Sequence, residues 1–333
     1  MSRVVLVTGS EGFIGSHLTE TLVRTGYRVR AFVQYNSLSS CGWIDTLSED
    51  VRSEIEIVFG DVRDIDSVSR AVEGSACVIH LAALIGIPYS YIAPRSYLDV
   101  NILGTLNVMQ SSIRHNVDRV VHTSTSEVYG SAQRVPIDER HPLRAQSPYA
   151  ASKIAADQLV LSFVSTFNLP AIVLRPFNVF GPRQSLRAVI PSIITQLRTS
   201  NLVLRLGSIA PTRDFNYVFD TVSAFMSAIT SPFGVGEVFN VGSGIEVSIE
   251  QVARLLMRIV GRDVEIQNDS ARERPSNSEV SRLVADSELA RTVLGWCPRW
   301  TGMEGLERAL KETNAWYLEP RNHSQYQNNA FRL

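Results

Sequence analysis

A glycine pattern between a strand-like segment and a helix-like segment constrains the fold of this chain most strongly. Residues 3–8 form a short β-branched run, and Gly9, Gly12 and Gly15 follow it directly. Apolar residues then recur at three- and four-residue spacing as far as Gly26, which is the pattern of an amphipathic helix. A buried strand that turns through glycines into a helix is typical of the first unit of a parallel α/β sheet.

The alternation of strands and helices continues through the first half of the chain. The predicted strands after the first one are 29–33, 55–59, 77–81, 120–123 and 171–174, and the predicted helices are 64–73, 95–115 and 148–167. This order predicts βαβ units. We therefore expect an α/β fold, a Rossmann-type doubly wound parallel sheet covered by helices on both faces.

The length and the spacing of prolines predict a second unit. A chain of 333 residues is long enough for about two domains. Prolines interrupt the alternation after Pro176, and helical patterns return only at 248–260 and 286–294. We expect a Rossmann domain at 1–176, a smaller C-terminal α/β domain at 177–318 and a polar tail at 319–333. The boundary is soft, because chains of this kind often cross back between their two units.

Charge and cysteine content argue against several classes of protein. A net charge of −1 gives no basic surface for nucleic acid or for an anionic membrane. The three cysteines, Cys41, Cys77 and Cys297, are odd in number and far apart, which favours a cytoplasmic protein without a disulfide framework or a metal site. Polar residues break the longest uncharged stretch, 74–94, so we expect no membrane span.

The pattern T-G-x-x-G-x-x-G at 8–15 predicts a dinucleotide-binding loop. Its glycines permit a tight turn, a close approach of the pyrophosphate and close packing of the helix on the strand. The helix N-terminus adds free N–H groups and a partial positive charge. The alternative is a plain tight turn. The expected cofactor contacts in the loop are Gly9, Gly12, Phe13, Ile14 and Gly15.

The segment after the second strand leaves the choice between NAD and NADP open. An acidic residue about 20 positions beyond the glycines normally binds the ribose 2'-hydroxyl of NAD. Tyr35, Asn36 and Ser37 stand there instead, and Arg30 lies nearby in the predicted strand. Because this segment has no carboxylate to repel a 2'-phosphate, NADP is slightly preferred. Asp61, after the third strand, is expected to contact the adenine or, alternatively, to cap the next helix.

The segment Ser147-Pro148-Tyr149, followed by Lys153, predicts a catalytic helix. Serine is a common N-cap and proline a common first helical residue, so Tyr149 lies in the first turn with Lys153 one turn later on the same face. A phenol with a pKa of about 10 is hardly ionised at pH 7. The lysine cation and the positive helix end are expected to favour the phenolate, which could take a hydroxyl proton beside a nicotinamide.

The end of the strand 120–123 supplies a candidate base. It runs into Ser124-Thr125-Ser126-Glu127, and the carboxyl ends of parallel strands line the ligand crevice of such sheets. Thr125 and Glu127 are therefore expected to face the site. A partly desolvated glutamate can remove a proton from carbon once a neighbouring carbon has become a ketone. The alternative is a solvated loop glutamate.

Four motifs together resemble the extended short-chain dehydrogenase/reductase family that acts on nucleotide sugars. They are T-G-x-x-G-F-I-G at 8–15, H-L-A-A at 80–83, Y-x-x-x-K at 149–153 and R-P-F-N-V-F-G-P at 175–182. T-S-E-V-Y-G at 125–130 is similar to the segment of 4,6-dehydratases and of uronate decarboxylases, whereas 4-epimerases usually lack that glutamate. A narrower resemblance, to the 4,6-dehydratases of legionaminic acid biosynthesis, rests on 35–37 with 42–43, 187–191, 211–214 and 274–280.

The resemblance implies an NAD(P)-dependent nucleotide-sugar 4,6-dehydratase, a lyase acting on a UDP- or GDP-GlcNAc-like substrate. Tyr149, with Thr125 and Lys153, would take the C4 hydroxyl proton, and Glu127 the C5 proton. Ser126 stands where many dTDP-glucose-type dehydratases have an acidic aspartate, so Glu127 would act as base and acid. A uronate decarboxylase and a 4-epimerase are the alternatives, and a non-catalytic dinucleotide-binding regulator is a remote one.

The resemblance also implies further contacts. Additional cofactor contacts are expected at Val62, Leu81, Ala82, Ala83, Tyr149 and Lys153. The 177–318 domain would bind the nucleotide sugar, with expected contacts at Asn178, Arg187, Val189, Arg213 and Arg274. Local arginines suit a diphosphate because the chain as a whole is nearly neutral.

A homodimer is a further implication of the resemblance. The helices at 95–115 and 148–167 would form its interface. The first of them carries apolar residues that could equally belong to the core of one chain, namely Leu98, Ile102, Leu106 and Met109.

Overall fold

The structure is a computed structural model that describes residues 4–199, 202–323 and 326. Its strands are β1 (Val4–Thr8), β2 (Arg28–Gln34), β3 (Ile55–Gly60), β4 (Ser75–His80), β5 (Arg119–Thr123), β6 (Ala171–Pro176), β7 (Asn178–Phe180), β8 (Val203–Leu206), β9 (Thr212–Arg213), β10 (Phe215–Tyr217), β11 (Val238–Val241), β12 (Val247–Ser248), β13 (Glu265–Asn268) and β14 (Arg282–Leu283).

The α-helices are α1 (Phe13–Arg24), α2 (Glu49–Arg52), α3 (Ile65–Val72), α4 (Ile87–Ile92), α5 (Pro94–Tyr97), α6 (Gly104–Arg114), α7 (Pro148–Phe167), α8 (Val189–Leu197), α9 (Val218–Thr230), α10 (Ile249–Val260), α11 (Glu288–Leu294), α12 (Gly302–Leu318) and α13 (Pro320–His323). Among the residues named as described, no helix is both long and apolar enough to cross a membrane.

Seven parallel strands form the main sheet, in the order β11-β6-β5-β4-β1-β2-β3. The order reverses at β1, as in a doubly wound Rossmann sheet, so the predicted fold class is confirmed. Side chains alternate between the faces of β1. Val5 and Val7 pack in the cluster that includes Leu18 of α1, whereas Leu6 packs in the cluster that includes Val108 of α6.

The chain crosses back into this sheet after leaving it. Strand β11 pairs with β6 although more than 60 residues separate them, and α9 packs against α1 on the same face. Strand β11 was not predicted, because four residues carry too little periodic signal. The remaining strands form three small sheets, β10-β7, β12-β9-β14 and β13-β8, beside α8, α10 and α12.

The region predicted as one helix at 95–115 consists of three pieces. Helix α5 leads into a π-helical segment, Leu98–Leu103, and α6 follows it. Asn101 in this segment is buried, and its side chain bonds both the N–H and the carbonyl of Leu84 and the hydroxyl of Ser152 on α7. Such π segments often mark functional sites, and this one fixes the chain after β4 against α7.

Part of the predicted polar tail is ordered against the body of the protein. Helix α13 follows α12, and the ring of Tyr326 lies 5.4 Å from that of Trp43 and stacks on Tyr317. The Tyr326 hydroxyl donates to the carbonyl of Gln184. The rest of the predicted tail beyond His323 lies outside the described residues.

Candidate active site

The glycine loop between β1 and α1 lies against the start of the H-L-A-A segment. A Cβ on Gly9, whose φ is +68°, would lie 2.8 Å from the backbone nitrogen of Ala82, so only glycine fits there. Thr8 Oγ1 accepts the N–H groups of Leu81 and Ala82 at 3.2 and 3.1 Å. Thr8 therefore brings two groups of predicted cofactor contacts together at the carboxyl edge of the sheet.

The residues after β2, which are predicted cofactor contacts, form a loop that is largely exposed in the protein alone. Tyr35 is 73% exposed. The Asn36 side chain organises its own loop, since its Oδ1 accepts from Leu38 and Ser40. Arg30 lies within β2, and its guanidinium is held by the carbonyls of Ala71 and Glu73 and by the Glu56 carboxylate. Arg30 is thus engaged away from the end of the strand.

The residues after β3 lie beside the same edge. Asp61 accepts from Arg63 at 2.5 Å, and this hydrogen bond holds the pKa of Asp61 below its ordinary value. Asp64 caps α3 by accepting from the backbone of Asp66, so the alternative interpretation of Asp61 as that cap is wrong. Val62 packs on Gly104 of α6, where a Cβ would approach its side chain to 2.9 Å.

The candidate catalytic helix begins as predicted. Ser147 Oγ accepts the backbone N–H of Ala150, and Pro148 is the first residue of α7. Tyr149 is buried against Ile87, and its ring lies 6.2 Å from that of Tyr97. The aromatic and apolar surroundings leave the phenol little contact with water.

Lys153 is anchored to the strand that carries the candidate base. Its Nζ donates to the carbonyl oxygen of Thr123 at 2.6 Å, at the end of β5. Burial lowers the pKa of Lys153 to about 8, and the Asp157 carboxylate opposes that change. The ammonium therefore sits close to its titration point at neutral to mildly basic pH.

The predicted lowering of the tyrosine pKa is wrong for the protein alone. Burial raises the pKa of Tyr149 above its ordinary value, and a hydrogen bond with Thr125 offsets only part of the rise. The charge of Glu127 raises it further. The reason is that desolvation of a phenolate outweighs the attraction expected from the lysine and the helix end.

Glu127 is buried among arginines at the end of β5. It is 8% exposed and lies in the short 3-10 helix Ser126–Tyr129, which Thr125 caps by accepting the Glu127 N–H. Nη1 of Arg274 lies 3.5 Å from its carboxylate. The buried Arg213 pairs with Glu279. Burial lowers the pKa of Arg213, and the negative charge of Glu127 opposes that change. The alternative of a solvated loop glutamate is therefore wrong.

The other predicted substrate contacts lie around this cluster. Asn178 begins β7, donates its backbone N–H to Asp214 beside Arg213, and has a buried side-chain oxygen with no partner among the described residues. Arg187 precedes α8, which begins at Val189. Burial raises the pKa of Tyr97, the neighbour of the candidate catalytic tyrosine, and the positive charge of Arg187 opposes that rise. Asn178 is thus linked through Asp214 to the neighbourhood of Arg213, and Arg187 through Tyr97 to that of Tyr149.

A buried polar network behind Lys153 was missed in the sequence. Asp157, one turn further along α7, accepts from Ser124 at 2.8 Å and from Arg175 at 3.0 Å. Arg175 also donates to Tyr129. Burial alone would raise the pKa of Asp157, but His122, Arg175 and Ser124 hold it below the ordinary value. The sequence indicated this network only through an acidic residue one helical turn after Lys153.

The described residues contain no cluster of side chains that could hold a metal ion. They do fit a dinucleotide. The glycine loop opens α1, and one oxygen of the Glu11 carboxylate in that loop is buried without a hydrogen-bond partner in the described chain. Such an orphaned acceptor is what a ligand hydroxyl would satisfy.

Comparisons with known proteins identify the family of this chain. The sequence model of the family described as GDP-mannose 4,6 dehydratase matches residues 6–309. The dTDP-D-glucose 4,6-dehydratase of Homo sapiens is 31% identical over 96% of this chain and 91% of its own length. A UDP-glucose 4-epimerase of Mycolicibacterium smegmatis is 32% identical over 92% of this chain and 97% of its own.

A solved structure extends the likeness to the fold. DesIV, a dTDP-glucose 4,6-dehydratase from Streptomyces venezuelae with NAD bound, superposes with a TM-score of 0.81. It is 28% identical, and the match covers 96% of this chain and 98% of that one. Sequence, fold and site geometry lead to one conclusion: the chain belongs to the GDP-mannose 4,6-dehydratase family and is an enzyme of the nucleotide-sugar dehydratase and epimerase group.

Proposed function

We propose that this enzyme is an NAD(P)-dependent nucleotide-sugar 4,6-dehydratase that converts a UDP- or GDP-GlcNAc-like substrate into a 4-keto-6-deoxy sugar. The observation that carries the proposal is the position of Glu127. It is a buried carboxylate, close enough to Tyr149 and Arg213 for its charge to affect the pKa of both. A 4-epimerase needs no base at C5. A buried glutamate beside the catalytic tyrosine supplies one.

Oxidation at C4 involves Tyr149, Thr125 and Lys153. Tyr149 takes the C4 hydroxyl proton, Thr125 bonds the same oxygen, and Lys153 provides positive charge from its anchor on Thr123. A nicotinamide dinucleotide bound at the glycine loop would supply a reversible hydride acceptor and a positive charge that favours the phenolate, which burial alone disfavours.

Water loss involves Glu127. A ketone at C4 acidifies the proton on C5, and the Glu127 carboxylate removes it. The same carboxyl then protonates the departing C6 hydroxyl, because Ser126 offers no acid at the preceding position. The hydrogen taken from C4 returns to C6 as hydride, and C5 takes up a proton, which balances the C4 hydroxyl proton given up to Tyr149. Atoms and electrons balance with water as the only product besides the sugar, and the cofactor ends as it began.

The arginines of the crevice bind the diphosphate in this proposal. Arg213 and Arg274 approach Glu127 from the second half of the chain, and the orphaned amide oxygen of Asn178 is free for a ligand donor. Arg187 and Val189 would add contacts from the start of α8. The 177–318 part of the chain therefore serves as the nucleotide-sugar side, and the 1–176 part as the cofactor side.

We also propose a homodimer through the helices at 95–115 and 148–167. Leu98 and Leu103 of the first region are 49% and 50% exposed, whereas Met109 is fully buried in the core of its own chain. A contact between copies would cover these leucines. Light scattering of the wild-type protein should give the mass of two chains, and a monomer would contradict this part of the proposal.

The function is tested with a panel of UDP- and GDP-linked sugars, including UDP-GlcNAc, GDP-GlcNAc and a UDP-uronate. We expect one of the neutral sugars to lose the mass of one water. A product of unchanged mass would support the 4-epimerase alternative. The similarity of this chain to the mycobacterial UDP-glucose 4-epimerase is the reason for including that outcome. Loss of carbon dioxide from the uronate would support the decarboxylase.

A further inference from the structure

The glycine loop carries a carboxylate that the proposed reaction does not use. Glu11 Oε1 accepts the backbone N–H of Gln34, the last residue of β2, at 3.0 Å. Its Oε2 is buried and has no hydrogen-bond partner among the described residues. Burial raises the pKa of this carboxyl, and the hydrogen bond from Gln34 opposes the rise. A buried acceptor without a donor is costly unless a ligand completes it.

The position of this carboxylate matches a known need of dinucleotide sites. The ribose of the adenosine half lies at the carboxyl end of the second strand, where an acidic residue after that strand usually accepts the 2'-hydroxyl. The chain has no acid at Tyr35, Asn36 or Ser37. Glu11 reaches the end of the same strand from the neighbouring loop.

Two cations that could attract a 2'-phosphate are engaged elsewhere. Arg30 bonds the carbonyls of Ala71 and Glu73, and Arg63 bonds Asp61. Arg52 is a third cation near this site. Its positive charge opposes the rise that burial causes in the pKa of Cys41, in the loop after β2. The Arg52 side chain is 46% exposed and lies 3.5 Å from Glu49, whereas the Glu11 carboxylate lies at the strand end itself and has one buried oxygen.

The backbone holds Glu11 in this position. Its carbonyl accepts the N–H of Trp43, and a Cβ on Gly42, whose φ is +55°, would lie 2.7 Å from that carbonyl. The end of β2 is therefore bonded to the side chain of Glu11, and the segment after β2 to its backbone. The backbone of this residue is thus held in place, and the hydrogen bond from Gln34 directs its carboxylate to the end of β2.

We propose that Glu11 selects NAD over NADP, with Oε2 accepting the ribose 2'-hydroxyl and repelling a 2'-phosphate. The inference rests on the dinucleotide binding in the proposed function and reverses the preference for NADP drawn from the sequence. The absence of an acid after β2 suggested that a 2'-phosphate would meet no repulsion. The fold supplies the missing negative charge from a residue 23 positions earlier than Gln34.

The test measures cofactor binding alone, without any sugar. Protein freed of bound nucleotide is titrated with NAD and with NADP by calorimetry, as wild type, Glu11→Gln and Glu11→Ala. Glutamine keeps an oxygen for the Gln34 N–H but removes the charge, and alanine removes both. Glu54→Gln is the matched control. Glu54 is exposed and precedes β3, so it lies at the amino ends of the parallel strands, whereas Glu11 lies at their carboxyl ends.

We expect the wild type to bind NAD at least about tenfold more tightly than NADP, and both Glu11 variants to lower that ratio by about tenfold or more. Glu54→Gln should leave it unchanged. A merely structural role of Glu11 would weaken both dinucleotides equally and leave the ratio where it was, which would overturn the proposal. Tighter binding of NADP by the wild type would overturn it too. Failure of both dinucleotides to bind would instead overturn the proposed function.

Discussion

Nη1 of Arg274 lies 3.5 Å from Oε1 of Glu127, so the candidate base is paired with an arginine proposed to bind the diphosphate. Both side chains are largely buried, and this Nη1 has no hydrogen-bond partner among the described residues. A diphosphate could therefore recruit Arg274 from a site adjoining the base. The same contact links substrate binding to the group that removes the C5 proton.

Replacing this arginine should mainly weaken nucleotide binding. We expect Arg274→Gln to weaken the binding of UDP or GDP, whichever the wild type binds, by about tenfold to a hundredfold, because a charge-assisted contact is lost. Calorimetry measures this directly. Arg291→Gln, at an exposed arginine paired with Glu288, is the control and should have no effect. Equal affinities for the two variants would remove Arg274 from the binding site.

Replacing the base should separate the two halves of the reaction. Glu127→Gln cannot accept the C5 proton, but it leaves Tyr149 and Lys153 in place. We expect oxidation at C4 to remain detectable in single-turnover product analysis, while proton exchange at C5 stops. Nuclear magnetic resonance in deuterated water reports that exchange, and its persistence in the variant would exclude Glu127 as the base.

The phenol of Tyr149 should be essential for turnover. Tyr149→Phe keeps the ring that packs on Ile87 but has no group to take the C4 proton. We expect dinucleotide binding to be retained and turnover to fall by about a hundredfold or more. Tyr97→Phe is the matched comparison, since that neighbouring hydroxyl donates to the Gly86 carbonyl. A smaller loss in Tyr149→Phe than in Tyr97→Phe would contradict the assigned role.

The buried lysine should lower stability below about pH 8. Its pKa falls from 10.5 to about 8 on folding, so the unfolded chain binds more protons between these values and stability rises with pH across that window. Urea unfolding should show that Lys153→Met gains stability relative to wild type at pH 7, by about 2 kcal/mol more than at pH 9.5. Lys311→Met, at the exposed lysine of α12, should show no such dependence. A pH-independent difference for Lys153→Met would contradict the lowered pKa.

The ion pair behind this lysine should stabilise the fold. Asp157→Asn leaves the Arg175 guanidinium buried without its partner, which should reduce the free energy of unfolding by about 3 kcal/mol. Because the pKa of Asp157 is held below 3.8, the wild-type advantage should be present above that pH and lost as the pH falls further. Asp138→Asn, in an exposed pair with Arg134, should cost little. Denaturant unfolding at pH 7 and pH 3 checks both statements, and equal losses for the two variants would contradict them.

Local patterns were sufficient to predict the main sheet and the start of the catalytic helix. The β-branched runs marked six of the seven strands of the main sheet, and Ser147 and Pro148 marked the first turn of α7, because these signals act over a few residues. Strand β11 was missed. It is short, and its pairing with β6 depends on tertiary structure rather than on its own sequence.

The pKa values and charge contacts of the site depend on tertiary packing, which the spacing of residues in the sequence does not show. A lysine one turn from a tyrosine predicts a lowered phenol pKa, but the burial around Tyr149 reverses the sign. The approach of Glu11 to the end of β2 joins two segments that the sequence separates. The pair of Asp157 and Arg175 spans a helix and a strand in the same way.

The transfer of hydrogen from C4 to C6 within one sugar is the step that defines a 4,6-dehydratase. A UDP- or GDP-GlcNAc labelled with deuterium at C4 should therefore be incubated with the wild-type enzyme, and the product analysed by mass spectrometry and nuclear magnetic resonance. Our account predicts a product that has lost one water and carries the deuterium at C6. Deuterium found again at C4 in a product of unchanged mass would show epimerisation and contradict the central claim.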